Sequence, residues 1–179
     1  MTDVAALFDA EEKGHLGSRH YVEHPAVPIE KTAAMLNLDM IAYSASSECM
    51  VIGADSADAW PVIIAGSGGG GEFAFTPQGE GGVGLAFTPQ GGGGGGGGSD
   101  HASFLRRKIP SLFFFAGMNP GYHTPDDDAS ACNPAVAVEI LKAACTTAFC
   151  AARRHEGLAF KEPAAGPRRS RARLGVTTE

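Results

Sequence analysis

Three segments of this chain are apolar almost without a break: VAALF (Val4 to Phe8), AAMLNLDMI (Ala33 to Ile41) and IPSLFFFAG (Ile109 to Gly117). A strand with one wet face alternates apolar and polar residues. A continuous run belongs to a strand that is dry on both faces, as in sheets covered by helices on each side. A shorter run, CMVIGA, follows the second and is a further strand candidate. PAVAVEILKAACTTAFCAARR, from Pro134, is the clearest helix: apolar residues recur at helical spacing, Pro134 suits the first turn and Asn133 can cap it. GSRHYVEH can open a short helix or a loop. Buried strands with a covering helix predict an α/β layered domain with a largely parallel sheet.

The middle of the chain is different in kind. Most of the 25 glycines fall between Gly66 and Gly98, including eight in a row from Gly91. Such a run loses too much backbone entropy to hold a regular element, so 66–98 is predicted to be a flexible loop. Within it AFTPQ occurs twice, at Ala74 and at Ala86, too short a repeat for a solenoid unit. At 179 residues there is material for one domain with a substantial core. The balance of 14 basic against 20 acidic residues offers no basic face for nucleic acid. The sequence is read as having no stretch approaching membrane-span length, and MTDVAALFDAEE has no signal-peptide pattern. Residues 153–179, rich in Arg, Pro and Gly, read as a basic, disordered tail. Cys49, Cys132, Cys145 and Cys150 lack CxxC spacing and read as buried free thiols.

Each long apolar run leads into residues that can bind or activate something. VAALF is followed by Glu11 and Glu12. The second run carries Asn37 and Asp39. The third leads to Tyr122 and His123, then to Asp126, Asp127 and Asp128. SDHASF adds Asp100 and His101 directly after the glycines. In open parallel sheets, sites form at the carboxyl ends of strands, and carboxylates with an imidazole make a zinc shell. Taken singly, Glu11 and Glu12 also fit a solvated turn, His123 a hydrogen-bonded surface histidine, and Asp100 and His101 a structural loop. Asp39 is harder to dismiss, because a carboxylate inside a buried strand must be paired, hydrogen-bonded or metal-bound. The shared placement favours a site.

FDAEEKGHLGS, MLNLDMIA, GGGSDHASF, IPSLFFFAG and GYHTPDDD, in that order, resemble the zinc aminopeptidase family that includes aminopeptidase Y, bacterial secreted aminopeptidases, glutamate carboxypeptidase and glutaminyl cyclase. The resemblance covers Val4 to Phe149 and implies a three-layer α/β sandwich with a mostly parallel central sheet, peptide substrates and two zinc ions. Carried over by motif, it makes Glu11 the general base and Tyr122 the donor to the oxyanion. Glu12 and His123 become ligands of one zinc, and Asp39 a ligand of the other. Asp100, His101 and Asp127 are possible supporting residues behind the ligands.

The family also draws a histidine ligand and a bridging aspartate from a segment upstream of the paired glutamates. Only ten residues precede Glu11 here, and none is histidine. The resemblance therefore implies residues 1–152 to be a partial catalytic domain whose sheet is incomplete at the N-terminal side, with an exposed edge open to association. Two other readings stand beside the peptidase: a catalytically inactive fragment or binding module, and acyl transfer of the glutaminyl cyclase kind.

Overall fold

A computed structural model describes residues 3–43, 48–69, 86–90 and 98–163. Its centre is a four-stranded sheet: β1 (Met35–Leu38), β2 (Glu48–Ile52), β3 (Ala86–Gln90) and β4 (Ser111–Phe115), in the spatial order β1-β4-β2-β3. β1 pairs with β4 and β2 with β3 in parallel, while β2 and β4 run antiparallel. The helices are α1 (Leu16–Glu23), α2 (Trp60–Gly69), α3 (His101–Leu105) and α4 (Pro134–Ala152).

β4 shows why its sequence is apolar throughout. Leu112 and Phe114 point into a core with Cys49 and Val51 of β2, Trp60 and Ile63 of α2, and Val136 and Ile140 of α4. Phe113, on the opposite face, stacks on His101 of α3 with ring centroids 4.9 Å apart. On that second face α1 and α3 form a smaller cluster of Val22, Phe104 and Ile109, joined by Phe8, Tyr21 and Met35. Helices thus cover both faces of a mostly parallel sheet. The three-layer α/β architecture is the one the continuous apolar runs require.

Two buried polar contacts hold the elements together. Ser56 is fully buried, and its hydroxyl accepts from the Ser111 N–H and Trp60 Nε1 while donating to the Ser111 carbonyl. Every polar atom in that knot is satisfied, which is the condition for burying it. Gly53 makes the approach possible: its φ is +89°, and a Cβ there would lie 2.4 Å from the Ser111 carbonyl oxygen. On the other face, buried Ser18 and Ser103 hydroxyls meet at 2.9 Å and link α1 to α3.

Several expectations change. VAALF is not a strand. Among the described residues no strand pairs with it, Leu7 is fully exposed, and only Phe8 is anchored, against Tyr21 and Phe104. An apolar run becomes a strand only where a ladder takes its backbone groups. The second run is strand only over Met35–Leu38, so Asp39 follows β1 rather than lying inside it. α4 begins as the sequence implies, with Asn133 Oδ1 accepting from the N–H groups of Ala135 and Val136. Within its 19 residues an 18-residue window has a mean hydropathy of 1.6, by length and composition enough to cross a membrane, which corrects the reading that no stretch approaches that length. Here one face of α4, through Val136, Ile140, Ala143 and Ala144, packs into the core. All four cysteines are free, but only Cys49 is buried, its thiol pushed up to about 12 by burial; Cys132 and Cys145 are exposed.

Part of 66–98 is regular: α2 extends to Gly69, and the second AFTPQ copy forms β3. The first copy and residues 91–97 lie outside the described residues. Among the described residues β3 is an edge strand, the position in a sheet where proline is tolerated, and it carries Pro89. Beyond α4 the chain returns across the body: the Lys161 N–H donates to the Ser56 carbonyl, and Lys161 Nζ pairs with Asp58 at 2.6 Å. That portion of the expected tail is laid against the fold, and residues 164–179 lie outside the described ones.

The duplicated pentapeptide generates a prediction. Residues 70–85 join α2 to β3, whereas such helix-to-strand connections commonly take two to six residues. Deleting 74–85 leaves one AFTPQ copy and a connection of 70–73 only. The fold should survive, and urea unfolding should show a gain of about 1 kcal/mol from the shorter closure. A loss of stability would mean that both copies are required.

Candidate active site

Four segments bring the predicted residues toward one end of β1 and β4. The first is the 3₁₀ turn Glu11–Lys13, whose approach is unusually wound. Ala10 has φ +56° and Gly14 φ +92°, and the Ala10 N–H donates to Asp9 Oδ1 at 2.7 Å. The start of α1 closes on this turn through the Gly17 N–H, which donates to the Asp9 carbonyl. A Cβ on Gly17 would come within 2.6 Å of that oxygen, so the second glycine of GHLG is a packing requirement. The adjacent glutamates diverge. Glu11 Oε1 pairs with His15 Nε2 at 3.1 Å, and Glu12 Oε1 meets His123 Nε2 at 2.7 Å.

His123 arrives from the second segment, the turn after β4. There the Tyr122 N–H donates to the Asn119 carbonyl, and Asn119 Nδ2 donates to Asp127 Oδ1 at 2.8 Å. His123 itself has φ +61°, and its ring stacks on Tyr122 with centroids 3.8 Å apart. The contact between Glu12 and His123 therefore closes two strained turns on each other across 111 positions of sequence.

The third and fourth segments form a buried relay. Asn37 Nδ2 donates to Ser99 Oγ, and Ser99 Oγ donates to Asp39 Oδ2, both at 2.7 Å. Asn37 and Ser99 are buried and Asp39 is partly exposed. The carboxylate expected to need a partner is hydrogen-bonded, and Ser99 is the residue that sequence reasoning missed. One signal was available: Asn37 and Asp39 are two apart in the apolar run, the spacing that shares a face where a chain is extended. Next to Ser99, Asp100 and His101 are also buried, and Asp100 Oδ1 and His101 Nδ1 find no hydrogen-bond partner among the described residues.

The electrostatics connect these groups. Burial raises the Glu11 carboxyl above its ordinary range, and the charges of Glu12, Asp39 and Asp100 push it further, against an opposing pull from His15. Tyr122 is raised by desolvation and then by Glu12, Glu11, Asp39 and Asp127. A glutamate with raised basicity, beside an imidazole and a protonated phenol, can take and deliver protons. The donor chemistry of Glu12 with His123, one carboxylate oxygen and one imidazole nitrogen, fits zinc. Among the described residues, however, no three His, Cys, Asp or Glu side chains gather into a group able to hold a metal. Glu12 and His123 meet as a pair, while Asp39 is held by Ser99.

The family model for peptidase family M28 matches residues 4–148. The chain belongs to peptidase family M28. Among solved structures it is similar to the LapA aminopeptidase of Legionella pneumophila, at 22% identity and a TM-score of 0.59, covering 80% of this chain and 37% of that one. It is also similar to an aminopeptidase from Aneurinibacillus sp. strain AM-1, at 21% identity and a TM-score of 0.57, covering 89% and 34%. A third is BSAP, a zinc aminopeptidase from Bacillus subtilis, at 24% identity and a TM-score of 0.53, covering 82% and 36%. At these identities the likeness establishes the shared α/β fold, and this M28 chain spans little more than a third of each neighbour. None of the curated proteins matches it significantly.

His101 supplies a pH test of this M28 site's foundation. Burial lowers its pKa from 6.5 to about 4, with the charges of His15 and Arg106 adding to the effect. The unfolded chain takes a proton near pH 6.5 that the folded chain refuses until about pH 4. Stability is therefore complete above pH 6.5 and falls as the pH drops toward 4, by on the order of 3 kcal/mol for this one group. Urea unfolding of His101→Leu at several pH values should lose that acid-side slope. An unchanged slope would mean that His101 is protonated in the fold.

Proposed function

We propose that this chain carries the general-base half of a zinc-dependent exopeptidase of the aminopeptidase type, acting on N-terminal peptide bonds. The observation that carries the reading is the 2.7 Å contact of Glu12 with His123, with the raised Glu11 carboxyl beside it. In this reading Glu12 and His123 hold one zinc, and Asp39, oriented by Ser99, belongs to a second. A bound zinc would lower the pKa of its water and polarise the scissile carbonyl. Glu11 takes the proton of the attacking water and passes it to the leaving amine. Its raised pKa suits both steps, because a weakly basic carboxylate would accept the proton poorly. Tyr122, kept protonated by the surrounding carboxylates, donates its hydroxyl to the developing oxyanion.

The roles of the adjacent glutamates separate by substitution. Glu11→Gln should leave zinc affinity nearly unchanged and reduce whatever turnover the chain supports by about 10² to 10⁴. Glu12→Gln should weaken zinc binding as well. Zinc content by atomic absorption and hydrolysis of a leucyl substrate read the two effects, and full activity in Glu11→Gln would remove the base assignment.

The ligand set favours a second reading for the chain as it stands. With carboxylate–imidazole pairs but no three-ligand group among the described residues, the chain alone should bind zinc weakly and hydrolyse aminoacyl substrates slowly or not at all. It would then serve as a binding or structural module. Near-stoichiometric zinc with robust leucyl-substrate turnover by the purified chain would overturn that reading and show that other residues complete the site.

A further inference from the structure

We propose that the outward face of α4 is a homodimer interface, on which a second copy of this chain packs its own α4 antiparallel about a two-fold axis at Cys145. α4 is apolar on two opposite sides. Val136, Ile140, Ala143 and Ala144 enter the core. On the far side Val138, Leu141 and Phe149 stand 46%, 41% and 45% exposed, and Cys145 is exposed among them. With half-buried Ala152 they fall on one narrow stripe at 3.6 residues per turn. A surface helix keeps polar residues opposite its core face. α4 does not: the charges nearest the stripe, Glu139 and Lys142, lie to one side of it and pair with each other at 2.8 Å.

The spacing along the stripe selects a second copy as the occupant. From Val138 through Leu141, Cys145 and Phe149 to Ala152 the intervals are three, four, four and three residues. That order is the same read in either direction, with Cys145 at its middle. A two-fold interface joins one surface to itself, so it needs a surface of this kind. An antiparallel copy crossing at Cys145 meets the stripe in register. Leu141 of each copy then lies against Phe149 of the other, and Val138 against Ala152, each pair occurring twice. Cys145 at the crossing is small enough for a close approach of the two helices.

Two further features suit the contact. Phe149 is steadied by the Arg153 guanidinium, 5.2 Å from its ring centroid, and stays exposed. α2 packs beside α4 over the same core, and its solvent side carries Pro61, Val62 and Ala65, all exposed, with Val62 at 70%. The outer surface of this helix layer is therefore apolar on both of its helices. α2 widens the contact toward the roughly 1,000 Å² that a specific interface needs.

Sedimentation equilibrium of the whole chain at micromolar concentration should show a dimer. Leu141→Glu should raise its dissociation constant by about a hundredfold or more, because the change enters the interface twice. Its far-UV circular dichroism should stay as it was, since position 141 is exposed. Cross-linking reads the geometry. With Cys132→Ser and Cys150→Ser, and Cys49 buried, oxidation by copper phenanthroline should join two copies through Cys145. Adding Cys145→Ser with Val138→Cys should abolish the cross-link, because positions 138 of the two copies lie about 21 Å apart along the helices. The proposal is overturned by a chain that sediments as a monomer, by a dimer that survives Leu141→Glu, or by cross-linking as efficient from position 138 as from 145. A monomer that floats with phosphatidylcholine vesicles would assign the face to a membrane instead.

Discussion

β4 is the strand on which the rest depends. It pairs with β1 in parallel on one side and with β2 antiparallel on the other, and its sequence puts Leu112 and Phe114 into one core and Phe113 against His101 on the opposite face. Each buried aromatic or leucine side chain contributes roughly 1.5–3 kcal/mol by leaving water, so this tripeptide is a large share of the folding free energy. Direction follows from it as well. β1 lies parallel to β4, which brings Asp39 and the chain after Phe115 out at the same end. The Asp39 N–H bonds the Phe114 carbonyl, and the Ala116 N–H bonds the Met40 carbonyl, extending the pairing to the edge of the candidate site.

What leaves that end is strained. Five non-glycine residues have positive φ among those described, and four bear on the site: Ala10 precedes Glu11, His15 pairs with it, Met40 follows Asp39, and His123 contacts Glu12. Each costs on the order of 1 kcal/mol. Such costs persist only where surrounding contacts over-determine the backbone, and they concentrate at functional sites. Here the over-determining contacts are identifiable. They are the Gly17–Asp9 approach, the Asn119 and Thr124 bonds within the turn after β4, and the Asn37–Ser99–Asp39 relay.

The same geometry concentrates negative charge. Glu11 feels Glu12, Asp39 and Asp100 at once, and His15 offsets only part of it. Negative charge gathered around a carboxylate in this way is unfavourable unless a cation or a proton relieves it. That is the electrostatic counterpart of the zinc reading, and with burial as the larger cause it raises Glu11 above an isolated surface glutamate.

The sequence by itself determined the α/β class, the strands around Leu36, Val51 and Phe113, and the long helix with its Asn133 cap, because these follow from local periodicity and capping chemistry. It also marked Glu11, Glu12, Asp39, Tyr122 and His123 through their positions after apolar runs. Tertiary structure decided the rest. VAALF has the composition of a strand but no ladder to join among the described residues, and pairing is a non-local property. Asp39 lies just beyond β1, whose register with β4 runs to Leu38, and its partner Ser99 is sixty residues away. Ser56 and Gly53 look like loop residues in sequence, yet the fold closes around them, because a buried hydroxyl is recognisable only once the groups it must satisfy have been brought to it.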